Sequence, residues 1–221
     1  NTFGGTIQQS TQGYMYFPTG RTDERGRGRG IIAGGSPGAD NNEQIEVINI
    51  QSDGVITEFG ELASARRGCA ACSSSTRGLI ATGTATNPSP SFTNSIELIT
   101  ISTTSNATSF GNLNYASRNI GGVSNQTRGL FAGGGDNPTF TDNISLVTIA
   151  TTGDASDFGN LLAQSKGRCG VSSPTRGLFA GGIVPTVVRV IDFVEIATTG
   201  DANDFGDLTG DVFFCGGVSS A

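Results

Sequence analysis

One phrase constrains what this chain can fold into. "TRGLFAGG" stands at Thr127–Gly134 and again at Thr175–Gly182, "TRGLIATG" starts at Thr76, and "GRGIIAGG" starts at Gly28. A catalytic motif is needed once. A phrase written four times, about fifty residues apart, points instead to stacked copies of one supersecondary unit. Phe-Gly pairs at Phe3, Phe59, Phe110, Phe158 and Phe205 keep the same beat. From Phe59, Phe110 and Phe158 the arginine of the phrase follows 18 residues on, at Arg77, Arg128 and Arg176. The first interval is longer because it holds the insertion "PTGRTDERG".

Each unit reads as four short strands. The first is a small-residue segment: "GCAACSS" from Gly68, "IGGVS" from Ile120, "CGVSS" from Cys169, "CGGVSS" from Cys215. The second is "GLFAGG". The third alternates apolar and polar residues, as in "IEVINI" from Ile45, "IELITI" from Ile96, "ISLVTI" from Ile144 and "IDFVEI" from Ile191, the pattern of a strand with distinct faces. The fourth follows the Phe-Gly pair. Gly is 34 of 221 residues, about twice the usual ~7%, and Ser, Thr and Asn are abundant. That composition suits many strands and turns and disfavours long helices. Units of roughly 13–62, 63–113, 114–161 and 162–208 result within a single repeat domain over 1–221, with 1–12 and 209–221 as candidate closing strands.

A glycine pair closing an apolar strand, a strand of "V-E" type, an aromatic, "L…R" and a small-residue strand together resemble the kelch repeat over essentially the whole chain. Phe stands where the kelch aromatic is usually Trp, and the tyrosine of the third strand is missing. The wording "TRGLFAGG…VTIATTGDASDFGNL" is also similar to Gly-rich repeats of virion and tail-fibre proteins of marine bacteriophages, and "GYMYFPTGRTDERG" resembles the opening of phage fibre domains. The resemblance implies an all-β fold: a kelch-like β-propeller with a ~48-residue repeat, four antiparallel strands per blade and about four to five blades. The terminal strands would pair into a partial fifth blade, or remain as tails, or the ring would close only with another chain.

Composition narrows function by exclusion. With no His, Ser–His and Cys–His catalysis and imidazole metal ligands are absent. "CAAC" has no second CxxC or His to make a zinc site, and Cys69, Cys72, Cys169 and Cys215 read as small core residues with free thiols. The formal net charge of −6 argues against a nucleic-acid partner. "RTDERGRGRG" over Arg21–Gly30 reads as a solvated loop. No apolar run approaches a membrane span. The chain starts with Asn and lacks a signal-peptide pattern, as expected of a processed product or a segment of a longer chain.

Antiparallel connection places the "TRG" turns and the "TTGDASDFG" turns on one uniform face. There Arg77, Arg128 and Arg176 meet Asp154, Asp157, Asp201 and Asp204, expected to fix turns; a calcium or anion site is the competing reading. Phe59, Phe110, Phe158 and Phe205 are expected to seal one unit against the next. The opposite face carries connections between second and third strands that vary in length and content. Loops held by a rigid scaffold carry binding, so Asn87, Phe92, Asn137, Thr139, Phe140 and Arg189 are the candidate binding residues, suited to a glycan or a protein. No catalytic residue, metal or cofactor is expected, because the acids spread around the repeats instead of converging as a glycosidase pair does. The expected role is a non-enzymatic structural or adhesion module of a phage virion, on the particle surface, with other virion proteins, a host glycan or protein, or further copies of itself as partners. A cellular or secreted kelch-type binding module is the alternative.

Overall fold

The protein is described from a computed structural model that covers residues 28–38, 41–50, 54, 56–85, 91–136 and 139–219. Among these residues there is no helix, and every strand pairing is antiparallel. Phe3, Asn87, Asn137, the candidate closing strand over 1–12 and most of the Arg21–Gly30 run lie outside the described residues.

The first unit contributes β1 (Arg29–Ala33), β2 (Asn42–Asn49) and β3 (Thr57–Arg67). The second contributes β4 (Ala70–Ser73), β5 (Arg77–Ala81), β6 (Thr84–Ala85), β7 (Ser91–Thr100) and β8 (Thr108–Ser117). The third contributes β9 (Gly121–Ser124), β10 (Arg128–Ala132), β11 (Gly135–Asp136), β12 (Thr139–Phe140), β13 (Asn143–Thr148) and β14 (Ser156–Asn160). The fourth contributes β15 (Cys169–Ser172), β16 (Arg176–Ala180), β17 (Ile183–Val184), β18 (Thr186–Val187), β19 (Val190–Glu195) and β20 (Asn203–Asp207). Each later unit is a four-stranded meander, β4-β5-β7-β8, β9-β10-β13-β14 or β15-β16-β19-β20, and the first shows β1-β2-β3. The short β6 pairs both β3 and β7, so the first eight strands join in one sheet that curls into a half-barrel.

The second strand of an interior sheet is buried on both faces. In β10, Leu130 and Ala132 enter the core shared with the fourth unit, and Phe131 enters the core shared with the second. This is why "GLFA" is a continuous apolar run and does not alternate. Among the described residues three cores result, one at each junction between successive sheets. The first joins Ile45, Phe59 and Leu62 to Ile80 and Ile99; the second centres on Phe110 and Phe131, the third on Phe158 and Phe179.

The Phe-Gly pair lies inside the fourth strand, not ahead of it. Pairing runs Ile144 to Gly159 and then Ser145 to Asp157, so Phe158 is the extra residue of a β-bulge; Phe59, Phe110 and Phe205 repeat the irregularity. A bulge re-aims a side chain, and here it turns the phenylalanine toward the next sheet. Phe59, Phe110 and Phe158 are buried. Phe205 is not: it is 53% exposed, against the expectation that it seals a junction, because no further sheet follows it among the described residues. The glycine of the pair lets the next sheet approach, since a Cβ on Gly159 would overlap the carbonyl oxygen of Gly200.

The first strands lie side by side along the stack and are joined by one serine each. Ser124 Oγ donates to the Ser73 carbonyl at 2.8 Å, and Ser172 Oγ donates to the Ser124 carbonyl at 2.8 Å. Beyond β15 the Ser172 N–H donates to Ser219 Oγ at 3.3 Å, so residues 215–219 follow the same line although they form no regular strand. Small residues make this spacing feasible: a Cβ on Gly122 would stand 2.7 Å from the Ala71 carbonyl oxygen.

All four thiols are free, but only Cys72 is buried; Cys69, Cys169 and Cys215 are half-buried, which corrects the expectation of four core cysteines. Cys69 and Cys72 do point to opposite sides, into the first and second cores respectively, as a three-residue offset on a strand requires.

Candidate binding face

The uniform face is built from sheet-to-sheet contacts. Ser74, Asn125 and Ser173 fold the "TRG" turns by accepting the N–H of Arg77, Arg128 and Arg176 through their side-chain oxygens, the turn chemistry of such residues. The arginines then reach forward. Arg77 Nη1 donates to the carbonyls of Ile149 and Ala150 at 3.1 and 2.8 Å, and Arg29 Nη1 donates to Ile101 at 2.8 Å. Their partners are therefore backbone carbonyls of the following sheet, not the aspartates expected from sequence. No sheet follows Arg176 among the described residues; it pairs with Glu195 at 2.6 Å and stacks on Phe193.

The aspartates work in the reverse direction. Asp154 Oδ1 accepts the Asn112 N–H at 2.9 Å, and Asp201 Oδ1 accepts the Asn160 N–H at 2.9 Å, each bonding back to the fourth strand of the preceding sheet. Asp157 accepts from Asn143 Nδ2, and Asp204 accepts the Gly206 N–H. These bonds employ the carboxylates that a calcium reading would require. Among the described residues no group of three or more His, Cys, Asp or Glu side chains is placed to hold a metal ion.

The opposite face begins at the glycine pairs. Gly133 and Gly134 have φ of 69° and 102°, and Gly181 and Gly182 have φ of 68° and 118°, a left-handed conformation glycine adopts without strain. The second residue of each pair, and Gly83 after Thr82 at the same place in the second unit, donates its N–H to the end of the fourth strand or the chain just beyond it: Gly35 to Arg66, Gly83 to Ser117, Gly134 to Ser165, Gly182 to Val212. The pair thus pins the scaffold before the chain departs into β6, the β11–β12 hairpin or the β17–β18 hairpin.

Two of the candidate residues recur in one arrangement. The Arg118 guanidinium carbon lies 5.3 Å from the centroid of the Phe92 ring, and Lys166 Nζ lies 5.5 Å from that of Phe140. Each cation stands eight residues after the bulged phenylalanine of its own sheet, and each aromatic stands at the start of β7 or in β12. Phe92 is 39% exposed, Phe140 is half-buried and Thr139 is exposed. Arg189 pairs with Asp207 at 3.3 Å, both more than half exposed. The geometry keeps Phe92 and Phe140 in separate units, each with its own cation.

A cleft of about 380 Å3 opens on this face between the third and fourth units. Leu162 and Gln164 line one side, Val188 and Asp207 the other, and Arg168 reaches it. Arg168 Nη1 meets Asp192 Oδ2 at 2.8 Å in the interior, and Asp192 also accepts the Leu162 N–H at 3.2 Å. Burial pushes the Asp192 carboxyl up and the Arg168 guanidinium down, and each charge opposes the shift of the other. Sequence reasoning passed over this pair. The signal was there: Asp192 stands where the third unit has Ser145, and Arg168 stands where it has Ile120. The junction between the first and second units holds a buried pair too, Arg66 of β3 with Glu97 of β7, and the glutamate accepts the Ala63 N–H at 2.8 Å.

No protein-family model and no curated protein matches this chain.

Proposed function

We propose that the four sheets are blades of a kelch-like β-propeller, and that the chain is a non-enzymatic structural and adhesion module of a phage virion, in a fibre or a capsid decoration. Its variable face would hold a host-surface or virion partner. One observation carries this reading: the arginine, aspartate and serine contacts repeat at successive junctions, while the opposite end changes from unit to unit and offers aromatic rings beside cations. Aromatic faces flanked by polar groups suit the apolar face and hydroxyls of a sugar ring as well as a protein surface. The resemblance in wording to phage repeats and the acidic, His-free composition point the same way. Mass spectrometry of purified particles tests it, and absence of the chain from virions sinks it.

The cellular or secreted kelch-type module is the second reading, favoured by the paired Phe92–Arg118 and Phe140–Lys166 arrangement. A glycan-array or pull-down signal abolished by Phe92→Ala with Phe140→Ala, from a chain absent from particles, selects it.

A further inference from the structure

Two cysteines stand almost one repeat apart. Cys169 follows the bulged Phe158 by eleven residues, and Cys215 follows Phe205 by ten. Equivalent places in successive units lie on neighbouring first-strand lines, so these thiols come to adjoining lines one residue out of step. The contacts fix that register. The Phe214 N–H donates to the Gly167 carbonyl at 2.8 Å, and the Ser172 N–H donates to Ser219 Oγ at 3.3 Å. Both contacts join residues 47 apart, so residues 214–219 run alongside 167–172 in the same direction. Between them Gly217 sits beside Gly170, where a Cβ would stand 3.0 Å from the Gly170 carbonyl oxygen.

Cys169 faces this segment. Its Sγ lies 3.6 Å from the place a Cβ on Gly217 would occupy, and its thiol hydrogen-bonds to that of Cys215. Two thiols in such contact are close to the ~2.05 Å of an S–S bond. Gly216 meets nothing within 4 Å of its Cβ position, which leaves the backbone beside Cys215 room to adjust. The other cysteines offer no such contact. Cys69 and Cys72 face different cores, and Cys72 is buried. Cys169 and Cys215 are half-buried, and Phe213, Phe214 and Val218 around the second are exposed, so a small reagent reaches this pair. Burial, and after it the neighbouring Cys215 thiol, push Cys169 up to about 11, which keeps it a thiol until an oxidant acts.

We propose that Cys169 and Cys215 are an oxidation site that closes to a disulfide by exchange with a low-molecular-weight disulfide such as oxidised glutathione. One cysteine gives up its proton and its sulfur attacks a sulfur of the oxidant. The S–S bond of the oxidant breaks, and one small thiol leaves with that proton. The second cysteine then gives up its proton and attacks the first cysteine's sulfur. The mixed disulfide breaks, and the second small thiol leaves with the second proton. The cysteine pair loses two electrons and the oxidant gains them. The product is a covalent loop that encloses β16 to β20 and ties the chain after β20 to β15. The Ser172–Ser219 bond holds the same segment without a covalent link, and an added reductant returns the chain to that state.

Incubating the folded chain with excess oxidised glutathione, then alkylating it with iodoacetamide, tests this. Before alkylation the product should remain a single 22.5 kDa chain, lighter than the reduced form by about 2 Da for the two hydrogens lost. Peptide mapping should join Cys169 to Cys215 and find Cys69 and Cys72 alkylated. Chymotrypsin should cut after the exposed Phe213 or Phe214, and the piece carrying Cys215 should stay attached until a reductant is added. The urea midpoint of the oxidised chain should lie above that of the reduced chain, and Cys215→Ser should erase the difference. Cys169 and Cys215 both alkylated, each carrying its own glutathione, or joined to cysteines of another chain overturns the proposal. A linked chain whose midpoint does not rise overturns the tie to β15.

Discussion

Arg128 Nη1 lies 2.9 Å from the carbonyl oxygen of Ala197 and 3.0 Å from that of Ile196, both in the next sheet. A guanidinium bridging two carbonyls at a strand end joins units that share no strand pairing there, and charge-assisted bonds of this kind are the stronger class.

Removing that bridge should cost more than removing its terminal counterpart. Arg128→Ala is expected to lower stability by about 1.5–3 kcal/mol. Arg176→Ala, which loses a half-exposed pair with Glu195, should cost ~0–1 kcal/mol. Urea unfolding of both variants in dilute solution checks the ranking, and equal losses would remove the distinction between internal and terminal junctions.

The bulged phenylalanines should divide in the same way. Phe158→Ala empties a buried site and should cost about 3–5 kcal/mol. Phe205→Ala acts on a half-exposed ring and should change the stability of the dilute chain by less than about 1 kcal/mol. Thermal melts of the two proteins at low concentration suffice.

Glycine substitutions report on the first-strand stack. A Cβ on Gly170 would overlap the Gly122 carbonyl oxygen, and backbone cannot step aside cheaply; Gly170→Ala should cost about 1–3 kcal/mol. Gly153→Ala meets nothing within 4 Å and should be neutral or stabilising by up to about 1 kcal/mol.

Alkaline pH should weaken the fold. Burial pushes the Cys72 thiol from 9.0 up to about 12, and burial, with the Glu97 charge adding and Arg66 opposing, pushes Cys69 up to about 11. The unfolded thiols ionise first as pH rises, and the folded ones resist. The stability is therefore complete below about pH 9 and is lost progressively toward about pH 12. Cys72→Val, which writes the residue of Val123 at its equivalent place, should flatten that decline in urea midpoints compared across the range.

The buried Arg168–Asp192 pair should behave as a unit. Asp192→Ala strands a guanidinium in the interior and should cost about 3–5 kcal/mol, whereas Arg168→Met with Asp192→Leu should cost less than the single change. A double-mutant cycle measures the coupling.

The strands were legible because their signals are local. The alternation of "ISLVTI" and the Ser and Asn turns before each "RG" act within a few residues, and β13 and the turns at Asn125 and Ser173 lie where those signals place them. Phe92 and Phe140 were legible as loop aromatics, but their cations were not, because Arg118 and Lys166 arrive from a different connection. The arginine partners were misread as aspartates: opposite charges in neighbouring turns suggest a pair, yet Arg77 passes over the turn to carbonyls 72 and 73 residues away.

By itself the sequence determined an all-β chain of repeated strands, the phenylalanine that each unit offers and the separation of uniform from variable loops, since periodicity and turn chemistry are written residue by residue. Only the tertiary structure decided that the Phe-Gly pair is a bulge, that Asp154 and Asp201 bond backward while Arg77 and Arg128 bond forward, and that Phe205 is exposed while Phe158 is buried. The two phenylalanines have the same local sequence. What differs is whether another sheet stands in front of them, and burial is a property of the neighbour.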